Sequence, residues 1–81
     1  AEVTVDDLVA LMKQYLERYG ENETQIDGVY IFKNALGEPP GGKQYWSLSL
    51  VKAAGPEAIG KAHAAWAKAL AENPFKRTAK G

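Results

Sequence analysis

The stretch Ile26-Asp27-Gly28-Val29-Tyr30-Ile31-Phe32-Lys33 decides how this chain is read. It is rich in β-branched and aromatic residues, the types that suit a pleated, half-buried surface, and so predicts a strand. Asn34 to Gly42 follows with three glycines and two prolines, a composition that breaks a strand and predicts a turn. Lys43 to Val51 then alternates: Trp46, Leu48 and Leu50 fall on one face, Tyr45, Ser47 and Ser49 on the other. Together these segments predict a long antiparallel hairpin. With the Trp46 face inward, Val29 and Ile31 join it, and Tyr30, Phe32 and Tyr45 point outward.

Helices are expected on both sides of the hairpin. Upstream, Thr4 can cap a first turn, with Asp7 in the capping-box position three residues on. Val5, Leu8, Val9, Met12, Tyr15, Leu16 and Tyr19 then recur every three or four residues, and Gly20 supplies a stop. The first helix is therefore expected over residues 5–19, and Glu21 to Gln25 as a polar connection. Downstream, Pro56 suits the first position of a helix. Ile59, Ala62, His63, Trp66, Ala69 and Leu70 form its buried stripe, and Asn73-Pro74 ends it.

The expected fold is thus α+β, in the order helix–strand–strand–helix (αββα), with two helices packed on one face of the hairpin. Residues 1–74 make the single domain, and residues 75–81 a basic, mobile tail. With 81 residues there is room for one small core. Apolar residues at 46% and charged residues at 25% match a soluble globular chain rather than a disordered one.

Exclusions follow from composition. No cysteine is present, which removes disulfides, Cys-based metal sites and thiol chemistry. No apolar run approaches the roughly 18 residues of a membrane span. A start at Ala1 reads as a removed initiator or as missing upstream sequence; with no secretory signal in view, the cytoplasm is the expected compartment. His63 is the lone histidine and its neighbours are alanines, so it reads as a packed side chain rather than a metal ligand or catalyst. Ser47 and Ser49 have no base near them in sequence. Asp6 and Asp7 point to different sides of a helix and serve as helix-start residues. Gly37 to Gly42 lacks the Lys-Ser/Thr of a phosphate loop. No enzyme activity, cofactor or metal is expected.

Charge is balanced overall and uneven along the chain. Residues 1–38 carry eight acids against three bases, a net of −5; residues 39–81 carry seven bases against two acids, a net of +5. Such asymmetry matters through local potential.

Gly28 to Glu38 resembles the first strand and turn of the GIY-YIG endonucleases over eleven residues. In that family a second tyrosine–glycine motif, a helical arginine and a metal-binding glutamate follow. Pro39 to Trp46 lacks that second half, and no residue or activity is carried over. The αββα order is also similar to that of small RNA-binding domains, although double-stranded-RNA domains have three strands and a lysine-rich entry to the last helix.

Two helices can cover only one face of a two-stranded sheet. The bare face, with Tyr30, Phe32 and Tyr45 flanked by Lys33 and Lys43, predicts a non-catalytic interaction or regulatory module that docks on another protein or forms a homodimer. The alternative is a nucleic-acid-binding module. Its aromatics would stack bases, and Lys52, Lys76, Arg77 and Lys80 would reach phosphates.

Overall fold

The computed structural model describes residues 2–73 and Phe75; of residues 21–26 only the backbone is described. Four helices follow in order: α1 (Val5–Tyr19), α2 (Glu21–Leu36), α3 (Leu48–Ala54) and α4 (Pro56–Glu72), with a 3-10 turn at Pro40–Gly42. There is no strand among the described residues. The expected α+β hairpin is therefore wrong, and both of its strand segments belong elsewhere. Ile26–Lys33 lies inside α2, and Lys43–Val51 is a loop running into α3.

The outer helices form for the local reasons given above. Thr4 Oγ1 accepts from the Asp7 amide at 3.2 Å, and Asp7 Oδ2 accepts from the Thr4 amide at 3.0 Å, which completes the capping box of α1. Gly20 ends α1 at φ 107°, a conformation open to glycine, with its amide donating to Leu16 O at 2.8 Å. Pro56 opens α4, and Asn73 closes it in the left-handed region, its amide donating to Ala69 O.

The inner helices form because of what they pack against. Among the described side chains of α2, Asp27, Gly28, Ile31 and Phe32 are buried. A strand would send Ile31 and Phe32 to opposite faces; a helix turns both inward with Gly28 one turn before. Phe32, expected outward, is 4% exposed for this reason. In α3, Ser47 caps the first turn, its Oγ accepting from the Leu50 amide at 3.2 Å, and Val51 is buried three residues after Leu48.

α4 is the central element and packs against each of the other three helices. Its Trp66 is fully buried and meets the ring of Tyr15 edge-on at 5.3 Å and that of Phe32 at 5.6 Å. Gly28 lies against the same indole: a Cβ there would stand 3.2 Å from Trp66 Cζ2. Leu8, Tyr15 and Tyr19 from α1, Val51 from α3, and Ile59, Ala62 and Ala69 from α4 belong to the same core among the described residues. The Tyr19 hydroxyl donates to Leu70 O at 3.0 Å and ties the end of α1 to the last turns of α4. No helix among the described residues is long and apolar enough to cross a membrane.

Candidate functional site

The connection from α2 to α3 is a closed loop, residues 37–47. Its first residue, Gly37, leaves α2 at φ 83° while its amide still donates to Lys33 O at 2.7 Å. Pro39 and Pro40 lead into the 3-10 turn, where Gly41 and Gly42 take φ of 67° and 71°. The chain then returns, and Trp46 Nε1 donates to Gly37 O at 2.9 Å, joining the two ends. Trp46 is half-buried against the core, as are Leu36 and Leu48 on either side of the loop. A short loop with joined ends and its own anchoring side chain has the build of the compact surface loops that often carry function.

Tyr45, next to the Trp46 anchor, points the other way and is 58% exposed. With Lys43, Gln44, Ser47, Ser49 and Leu50 it lines an open cleft of about 410 Å³ between the loop and the start of α3. Lys33 sits in the last turn of α2 and pairs with Glu38 at 3.1 Å, at the base of the loop. Both partners are exposed, so the pair contributes little to stability. Lys52 stands exposed on α3, three residues and one turn beyond Ser49.

The residues expected to form one aromatic patch are not brought together. Tyr45 is on the loop and Phe32 is in the core. Tyr30 is 54% exposed on α2, where its ring lies 6.2 Å from that of Phe75. No ring contact joins Tyr30 to Tyr45. Lys76, Arg77 and Lys80, with the rest of the tail beyond Phe75, lie outside the described residues. The nucleic-acid alternative relied on an open sheet for base stacking. With no sheet among the described residues and Phe32 buried, that platform is gone.

A buried polar contact escaped the sequence reading. The Tyr15 hydroxyl donates to Asp27 Oδ2 at 2.5 Å, with Tyr15 fully buried and Asp27 1% exposed. A helical reading of α2 would have placed Asp27 on the inward face, one turn before Ile31, but not its partner on α1. His63 is half-buried on α4 and near enough to Asp7 to act on its charge. No group of three or more metal-ligating side chains gathers among the described residues.

No protein-family model, no curated protein and no solved structure matches this chain.

Proposed function

We propose that the chain is a non-catalytic interaction module that docks on another protein through the closed loop 37–47 and the adjoining first turn of α3. One observation carries this reading: Tyr45 holds its ring in solvent on a loop whose ends are already fixed by the Trp46–Gly37 hydrogen bond. A tyrosine offers large contact area with few rotatable bonds, and a pre-closed loop has less freedom to lose on binding. Lys43 borders the same cleft, and Lys33, held to Glu38, supports its base. Tyr30 is outside this surface.

The test places a photo-cross-linking phenylalanine analogue at Tyr45, with the same analogue at Lys61 on α4 as a control. The proposal expects a discrete adduct with another protein from position 45 alone, suppressed by excess native chain. Equal labelling from both positions, or none from position 45, would reject it. An adduct of the chain with itself would replace docking on another protein with homodimerisation.

A further inference from the structure

We propose that the segment seated on this loop is an acidic, extended peptide, with carboxylates flanking an apolar side chain. This rests on the docking reading above and names its partner's chemistry. Glu38 and Glu57 bracket the surface in sequence, and no acid occurs between them. Each bracket is already matched by a cation: Glu38 by Lys33 at 3.1 Å, and Glu57 by Lys61 at 3.4 Å. Lys43 and Lys52 are both exposed, and neither has an ion-pair partner among the described residues. The surface therefore carries two positive charges with no ion pair among the described residues and no acid between positions 38 and 57 in sequence.

Their placement sets the pattern a partner must match. Lys43 lines the cleft beside Tyr45 and Leu50. Ser49 lines it too, and residues three apart on a helix are neighbours, so Lys52 continues the same face. The apolar contact offered by Tyr45 and Leu50 thus has a lysine on its loop side and another on its helix side. A peptide with an apolar side chain between carboxylates matches both features, and complementary charge steers such encounters. A single-stranded nucleic acid is the poorer match, because it calls for a row of aromatic platforms along a basic groove.

A random dodecapeptide library displayed on phage and selected against the full chain tests this. The expected result is enrichment of net-negative peptides that lose binding to Tyr45→Ser. Their synthetic versions should bind at least tenfold more weakly to the Lys43→Glu/Lys52→Glu double variant, and several-fold more weakly in high salt. The Lys43→Gln/Lys52→Gln variant gives the same direction without adding negative charge, and circular dichroism checks that each variant stays folded. Neutral or basic peptides that depend on Tyr45 would overturn the inference and leave the docking reading standing. If no selected peptide depends on Tyr45, both fall. Tighter binding of an eight-nucleotide oligothymidine than of the selected peptides would also overturn it.

Discussion

The Tyr15 hydroxyl of α1 donates to Asp27 Oδ2 of α2 at 2.5 Å, and Asp27 is the buried charged residue among the described ones. The bond is directional where the surrounding contacts are not, so it fixes how the two helices slide past each other. Tyr15→Phe keeps the ring contacts with Tyr19 at 4.8 Å and with Trp66 at 5.3 Å, and removes only the donor. Breaking one hydrogen bond to a buried carboxylate costs about 1–3 kcal/mol. Net stability for a domain of this size is on the order of 4–12 kcal/mol, so the loss should be plain in a urea titration as a lower midpoint at unchanged slope. Asp27→Leu in the Tyr15→Phe background should cost less than the two single losses added together. Strict additivity would show that the two groups do not act as a pair.

Two helical glycines should respond to alanine in opposite directions. Gly60 in α4 has open space where a Cβ would go, so Gly60→Ala should stabilise by about 0.5–1 kcal/mol through helix propensity and the unfolded chain. Gly28→Ala gains the same propensity but meets Trp66 at 3.2 Å. The indole is fully buried and packs edge-on against Tyr15 and Phe32, so any shift to admit the methyl must disturb those ring contacts. Overpacking of this kind costs about 1–3 kcal/mol, which exceeds the gain and gives a net loss. Thermal melts of both variants decide this; a Gly28→Ala chain as stable as Gly60→Ala would mean that the indole has room to shift.

The elements legible in the sequence are those whose ends carry their own signals. Thr4, Asp7 and Gly20 delimit α1, and Pro56 and Asn73 delimit α4, at the expected residues. α2 was hidden because its inward face contains an acid and a glycine. Asp27 and Gly28 interrupt the apolar periodicity, and the visible run from Val29 to Phe32 then reads as a strand. Asp27 meets Tyr15 and Gly28 meets Trp66, partners on other helices that local pattern cannot supply. α3 was hidden by a coincidence of burial. Residues 45–50 do alternate between exposed and half-buried, as expected, but across an extended loop end followed by a helix start. The cue to the helix was Ser47 as a cap, with Gly55 closing eight residues later. Of the candidate site, Tyr30, Lys33, Lys43, Tyr45 and Lys52 are exposed and Phe32 is buried, although the hairpin meant to present them does not form.

The α1 capping box makes stability depend on acid pH in a stated direction. The Thr4 backbone amide, and then the Thr4 side chain, hold the Asp7 carboxyl below its ordinary value; His63 adds a smaller favourable charge effect. A folded value below the unfolded one means that the stabilisation is complete above the unfolded value, at about pH 4. It is then lost as pH falls through the folded value. Urea midpoints measured between pH 2 and pH 6 should fall less steeply for Asp7→Ala than for the native chain. Parallel curves would assign the acid sensitivity to other carboxylates.

Trp46→Phe separates a loop built to present Tyr45 from one that merely connects α2 to α3. Phenylalanine keeps an aromatic ring against the core and removes the Nε1–H that bonds Gly37 O at 2.9 Å. The global cost should be modest, about 0.5–1.5 kcal/mol for one hydrogen bond. The local effect should be larger, because that bond is what joins the loop ends. Limited trypsin digestion should cut after Lys43 several-fold faster in the variant, with far-UV circular dichroism unchanged. Cross-linking from position 45 should weaken in step with this opening, since a loose loop must be ordered again on binding. If cleavage quickens while cross-linking holds, the closure at Trp46 serves the fold alone, and Tyr45 binds without pre-organisation.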